Sequence, residues 1–153
     1  MTFLKFLMLL TLCLWLGGIM FFSAVEAPLI LRHVNDRILG GEIISSSLAR
    51  LHWMGMICGL VFLLASLIRN YRTTADRKLL TLPHFLVVLM LALTAVSEYF
   101  ILPAIAELRG HSDPAAAARF QHLHTWSVAL EAVVLFLGFL VLYRQASDSS
   151  VRR

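Results

Sequence analysis

The sequence predicts an all-α integral membrane protein, an antiparallel bundle of four transmembrane helices built from two tandem helical hairpins. Of its 153 residues, 59% are hydrophobic and only 14% are charged, whereas a soluble domain is about 45–50% apolar and about 25% charged. Four stretches are long and apolar enough to cross a bilayer core of about 30 Å, which takes roughly 20 helical residues. We therefore expect one membrane domain over residues 1–153, with the lipid bilayer as its main partner.

The four spans are expected at about residues 4–31, 50–69, 79–106 and 114–143. The first is longer than the apolar region of a signal peptide, about 7–15 residues, and is interpreted as a retained helix. Thr81-Leu82-Pro83 and Asp113-Pro114 are typical helix starts. Gly40-Gly41 predicts an irregular first connection, and Asn70 to Lys78 a short polar hairpin loop.

The basic residues predict the orientation of the chain. Of the 13 Lys and Arg residues, eight fall on the side of the termini, which favours cytoplasmic termini in a bacterial inner membrane. The net charge of +4 comes without a basic cluster, so a nucleic-acid partner is not expected. Cys13 and Cys58 lie in apolar stretches without a CxxC spacing, and no disulfide framework is predicted. A homo-oligomer is left open.

Two similar stretches indicate an internal repeat. Pro28-Leu-Ile-Leu-Arg32 resembles Pro103-Ala-Ile-Ala-Glu-Leu-Arg109, and a Leu-His pair opens the helix that follows each of them. This alignment pairs His52 with His124. Parallel repeats place equivalent residues at equal depth in the membrane. The sequence therefore predicts two hairpins that enter the membrane in the same direction.

Ionisable side chains gather at one depth of the predicted bundle. At 1.5 Å per residue, four of them fall within about one helical turn of a common level near the outer side; they are Glu26, His52, Glu98 and His124. Glu131 lies seven residues beyond His124 on the same helical face, and Ser127 shares that face. Ionised groups inside the bilayer are expensive and normally face a partner within the bundle. We therefore expect Glu26, His52, Glu98 and His124 to converge, with Glu131 below them.

Imidazole and carboxylate together suit a borderline transition metal, and copper is the first choice. Soft or polar ligands could add to the site; they are Met56, His122, Ser127 and Glu131. Three alternatives stay open: a b-type haem clamped between His52 and His124, proton or solute movement through Glu131 or Glu98, and a structural scaffold without a cofactor. An enzyme is not favoured, because the chain has no HExxH, P-loop, nucleophile elbow or dinucleotide fingerprint.

Several residues are expected to shape the helices rather than to bind ligands. Pro28 and Pro103 each remove a backbone hydrogen bond next to a glutamate. Gly55 and Gly59, four residues apart, predict a close contact between two helices.

Two motifs carry a family resemblance. Leu14-Trp15-Leu16-Gly17-Gly18-Ile-Met-Phe21-Phe22 leads to Ala27-Pro28, and Phe120-Gln-His-Leu123-His124-Thr-Trp-Ser127 opens the last helix. Together they resemble the transmembrane protein 205-like family, a four-helix family of unknown function, and more distantly the copper-resistance D membrane domain. The resemblance extends to Trp15, Gly17, Gly18, Phe22, Pro28, His124 and Ser127, and we expect the first five of these to be structural. It also favours handling of soft metals, while a haem-pathway oxidase family in the distant group favours the haem alternative.

Overall fold

A computed structural model of the protein describes residues 2–73, 81–111 and 113–150, and the regular structure in these ranges is helical throughout. The first hairpin comprises α1 (Thr2–Phe21), a π-helix (Phe22–Glu26), α2 (Ala27–His33) and α3 (Arg37–Thr73). The second comprises α4 (Leu82–Val96), a second π-helix (Ser97–Ile101), α5 (Leu102–Leu108) and α6 (Pro114–Ser150). Each π-helix joins the α-helices on either side of it into one continuous span.

Four helical spans are long and apolar enough to cross a membrane, which confirms the predicted fold class; they are Thr2–His33, Arg37–Arg72, Leu82–Leu108 and Pro114–Ser147. The first and third spans each pack against the second and fourth. Large apolar side chains cover the outside, including Phe85 (66% exposed) and Phe136 (62% exposed). An apolar surface of this extent indicates a lipid environment. The protein is therefore an integral membrane protein.

We name the two ends of the bundle after the chain segments that lie there. The two-loop end carries residues 34–36, which connect the spans of the first hairpin, and residues 109–111 and 113 of the second hairpin. The termini end carries Thr2, Leu82 and Ser150. The site described below lies near the two-loop end.

Two predicted helix starts are confirmed by their capping contacts. The Thr81 hydroxyl caps α4 in a reciprocal capping box with His84. The Asp113 carboxylate accepts a hydrogen bond of 3.3 Å from the Ala116 N–H and caps α6. These contacts satisfy N–H groups that a helix start leaves without a partner.

The first connection is shorter than the sequence predicts, because α3 begins at Arg37 and includes Gly40 and Gly41. Asp36 starts the helix early: its carboxylate accepts hydrogen bonds from the N–H groups of Ile38 (2.8 Å) and Leu39 (3.3 Å). A good N-cap thus outweighs the helix-breaking tendency of two glycines. On the other side, α3 continues through Thr73, and the rest of the predicted loop from Asn70 to Lys78 lies outside the described residues.

The two π-helices show the true register of the internal repeat. Each begins six residues before a proline, Phe22 before Pro28 and Ser97 before Pro103, so equivalent positions are 75 residues apart. Proline clashes with the carbonyl group four residues earlier and cannot donate to it. A widened turn with bonds to the fifth residue back relieves that clash, as in the bonds Ala27 N–H to Phe22 O and Leu102 N–H to Ser97 O.

The second helices of the two hairpins, α3 and α6, each carry buried positions at a seven-residue spacing; these are His52, Gly59 and Ser66 on α3, and Ser127, Val134 and Val141 on α6. The two histidines that the sequence pairs have different surroundings, because His52 is buried and His124 is exposed. In the observed register the counterpart of Glu98 is Ser23, and the counterpart of Glu26 is Ile101.

Candidate functional site

A histidine lies between two glutamates inside the bundle near the two-loop end. His52 is only 2% exposed; its Nδ1 lies 2.9 Å from Glu98 Oε2, and its Nε2 lies 2.6 Å from Glu131 Oε1. Both glutamate side chains are 12% exposed. We call these three residues the carboxylate–imidazole triad. It joins three of the four spans through contacts between residues 46 and 79 positions apart in the chain.

Each triad residue is positioned by a different helix. His52 is on the inward face of α3, where the buried positions recur every seven residues as Gly59 and Ser66. Glu98 is the second residue of the π-helix that precedes Pro103. A π-turn changes the helical phase locally and is frequent at functional sites. Glu131 is one turn beyond Ser127, which is 5% exposed, on the inward face of α6.

The two contacts require a defined number of protons. Each ring nitrogen of His52 needs one hydrogen between itself and a carboxylate oxygen, so two protons are shared among the three groups. Either an imidazolium donates to both carboxylates, or a neutral ring accepts from one protonated glutamic acid and donates to the other glutamate. Both arrangements carry a net charge of −1. One further proton makes the triad neutral without breaking either contact, so the triad can gain and lose a proton.

The structure brings together only part of the predicted ligand set, His52 and Glu98. Among the described residues Glu26 is half-buried without a hydrogen bond or ion pair, because it lies three positions later in the repeat register than the counterpart of Glu98. His124 is exposed and stacks on Phe120, with the ring centroids 6.3 Å apart. Convergence of Glu26 and His124 on His52 is thus not observed.

The predicted additional ligands also have different positions. His122 is exposed, and its Nε2 accepts a hydrogen bond of 3.2 Å from the Trp126 indole. Met56 is half-buried one turn after His52. Glu131 belongs to the triad, and Ser127 is buried one turn before it on α6. Glu131, which the sequence ranks below the four main ligands, is a central member of the site.

The donor groups of the triad are not arranged as a metal site. Both nitrogens of His52 already bond carboxylates, and these carboxylates approach the ring from opposite sides. A metal at either nitrogen would meet one imidazole and one carboxylate, fewer than the three or four protein ligands of usual zinc sites. Within the described part of the chain, no group of three or more His, Cys, Asp or Glu residues is arranged to hold a metal ion. His124, which the sequence predicts as the second haem ligand, is exposed and lies outside the triad.

Two buried polar side chains of the third span are not indicated by the sequence. Ser97 is fully buried, and its hydroxyl has no hydrogen-bond partner in the described structure. His84, 14 residues before Glu98 on the same span, is 2% exposed. A seven-residue spacing in the sequence could have indicated that His84 faces inward. His84, Leu91 and Glu98 follow this spacing on the third span, and Glu131, Gly138 and Gln145 follow it on α6.

The fold and the site define a class of protein: a four-span membrane bundle with a buried carboxylate–imidazole–carboxylate contact. Residues 10–113 match a family described as a domain of unknown function, DUF4149, and the chain belongs to this family. The match covers the first span from residue 10 and all of the second and third spans, and it ends before α6, which carries Glu131. No curated protein and no solved structure matches the chain. The comparisons give no support to a resemblance to the transmembrane protein 205-like family or the copper-resistance D domain.

Proposed function

We propose that this protein is a proton-binding membrane protein, in which the carboxylate–imidazole triad takes up and releases a proton near one membrane surface. The observation that carries the proposal is the His52 ring held between two carboxylates while it is 2% exposed. Buried ionisable groups in membrane spans are costly and commonly mark proton relays. This site can change its proton count while it keeps both of its hydrogen bonds.

The depth of the triad supports exchange with water on one side only. Arg50 and Arg69 of α3 bracket an uncharged stretch, and at 1.5 Å per residue they are about 28 Å apart, close to the thickness of a bilayer core. His52 is two residues inside Arg50. The triad therefore lies close to the water at the two-loop end and roughly 25 Å from the level of Arg69.

Infrared difference spectroscopy of the protein in lipid nanodiscs tests the proposal. We expect a carboxylic-acid carbonyl band that grows as the pH falls, because the third proton of the triad resides on a glutamate. The band should be lost or shifted in Glu98→Gln and in Glu131→Gln. Nitrogen NMR of labelled histidine should show a change at His52 over the same pH range.

Glu26→Gln is the matched control, since Glu26 is also a half-buried glutamate in a membrane span but lies outside the triad. This variant should keep the titrating band. A band that survives in both triad variants, or one that only Glu26→Gln removes, would contradict the proposal.

Copper or haem binding, which the sequence predicts, stays a prediction and is tested on the same preparation. Elemental analysis detects copper or zinc, and an absorption spectrum detects haem. In the observed arrangement, a metal would require His52 to release one of its two glutamates. Metal bound by the wild type and lost with His52→Ala would replace proton binding as the assigned function.

We further propose that both termini are cytoplasmic, in a bacterial inner membrane, so that the triad lies on the outer side. The support is the excess of basic residues on the side of the termini. A cysteine placed at Thr74 should be inaccessible to a membrane-impermeant maleimide in intact cells and should react after lysis. Labelling from outside would reverse the orientation.

A further inference from the structure

Below the carboxylate–imidazole triad, the inward faces of three spans follow one pattern. Seven residues from each triad member, toward the termini end, lies a glycine or a leucine on the same helical face. These residues are Gly59 after His52, Leu91 before Glu98, and Gly138 after Glu131. Gly59 and Gly138 are buried, and Leu91 is half-buried. Since seven residues of helix measure about 10.5 Å, the three residues lie at one level of the bundle.

The first span fills the space between these helices with two large side chains. Trp15 is 1% exposed and Leu16 is 3% exposed. A Cβ atom at Gly59 would lie 2.9 Å from Trp15 Cζ3 and 2.7 Å from Leu91 Cδ2, and one at Gly138 would overlap Leu16. Both glycines therefore hold a large side chain directly against the helix backbone. We call Trp15, Leu16, Gly59, Leu91 and Gly138 the Trp15 layer, to which all four spans contribute.

The Trp15 ring closes the α3 side of the interior below His52. Gly55 and Gly59 lie three and seven residues after His52 on the same face of α3. A Cβ atom at Gly55 would lie 2.6 Å from Trp15 Cε2, so the ring covers both glycines. Where a single carbon atom does not fit, a water molecule does not fit either. Water that reaches the triad therefore cannot pass between Trp15 and α3.

Buried polar side chains return on the far side of the Trp15 layer. Another seven residues toward the termini end, the same three faces carry Ser66, His84 and Gln145, which are 1%, 2% and 7% exposed. Phe62 (1% exposed) and Val87 (0% exposed) continue the apolar section for one further turn beyond the layer. The interior is thus polar at two levels about 21 Å apart, and the Trp15 layer lies half-way between them.

We propose that the Trp15 layer is the barrier that separates the triad from the water at the termini end, and that the triad exchanges protons with the two-loop end alone. This inference rests on the proton-binding function proposed above. A proton crosses a protein interior along water molecules or along groups that both accept and donate hydrogen bonds, because a lone charge in an apolar medium is very unfavourable. The indole N–H of Trp15 donates a hydrogen bond but cannot accept one, and the other side chains of the layer are apolar. The two polar levels are therefore the ends of one proton pathway that this layer interrupts.

Proton entry into liposomes that contain the full chain and a pH-sensitive dye tests the barrier. Liposomes with the wild type should be as tight as liposomes without protein. Trp15→Ser leaves a gap that carries a hydroxyl group, and a polar gap of this size takes up water. Proton entry should then rise at least about tenfold, because the dry section becomes shorter and the cost of an unsolvated charge falls. Leu91→Ser opens a smaller gap at the same level, should change proton entry in the same direction, and remains informative if Trp15→Ser fails to fold.

Trp53→Ser and Leu60→Ser are the matched controls, because they make the same changes on the outside of α3. Trp53 is 52% exposed and Leu60 is 55% exposed, so neither change alters the interior. Both variants should be as tight as the wild type. The carboxylic-acid band in the infrared spectrum should appear in all four variants, which shows that the triad is intact in each.

Combining Leu91→Ser with Glu98→Gln tests whether the opened path runs through the triad. The combined variant should return proton entry to the wild-type rate, since the triad can no longer pass on a proton. A leak that survives Glu98→Gln, an equal leak in Leu60→Ser, or tight liposomes with both layer variants would overturn the barrier but leave proton binding standing. A wild type without the titrating infrared band would instead overturn proton binding, and the barrier inference with it.

Discussion

Replacing His52 with alanine is expected to lower the free energy of unfolding by about 3–5 kcal/mol, the usual cost of removing one partner from a buried charge network. Glu98 and Glu131 would lose the ring that both of them bond. They would then take up protons or draw water into the bundle, and either response is unfavourable in an apolar interior. Unfolding of the purified protein in mixed micelles by increasing denaturing detergent measures the change.

His124→Ala provides the comparison, because His124 is equally a histidine in a membrane span but is exposed and stacks on the ring of Phe120. Its effect should stay within about 0.5 kcal/mol, as for most surface substitutions. Similar losses for the two variants would mean that the triad is not the element that stabilises this part of the bundle.

The number of spans and two of the helix starts could be predicted because they depend on local properties. Apolar stretches of bilayer length define the spans whatever their neighbours are. Thr81 and Asp113 cap helices through contacts with residues three positions away, which a sequence displays directly. Asp36 carries the same kind of local signal, but the adjacent glycines favour an irregular connection.

The triad could be predicted only in part, because it depends on the rotation of each helix. Hydropathy sets the depth of a residue in the membrane, and by depth alone Glu26 and His124 are as suitable as His52 and Glu98. Lipid is as apolar as the core, so a membrane helix need not show an apolar stripe that fixes which face is inward. The inward face of these helices is defined by contacts between distant residues, such as His52 with Glu131.

The register of the first helix of each hairpin could be predicted from the prolines. Aligning Pro28 on Pro103 gives the 75-residue offset that the π-helices confirm. A proline constrains the backbone of its own helix. The shared Leu-His pair, by contrast, is a two-residue identity on the second helices, and it does not place His52 and His124 in the same surroundings.

The glycines of α3 lead to the second large expected effect: Gly55→Ala should destabilise the protein by about 1–3 kcal/mol, as overpacking of a core does. A Cβ atom at Gly55 would overlap the indole of Trp15, with Cε2 only 2.6 Å and Cδ1 only 2.7 Å away. Trp15 is 1% exposed and cannot swing aside. A Cβ atom at Gly59 would lie 2.9 Å from Cζ3 of the same ring, so the predicted close contact at Gly55 and Gly59 is confirmed.

Gly17→Ala in α1 is the control for this variant, because a Cβ atom there would meet nothing within 4 Å. Alanine is a better helix former than glycine by about 1 kcal/mol, so this change should be neutral or stabilising, and the two variants should differ in sign. Thermal unfolding in detergent, followed by Trp15 fluorescence against a Trp53→Phe, Trp126→Phe background, measures both. If Gly55→Ala unfolds at the same temperature as the parent protein or at a higher one, the packing contact between Trp15 and Gly55 is not as tight as the structure shows.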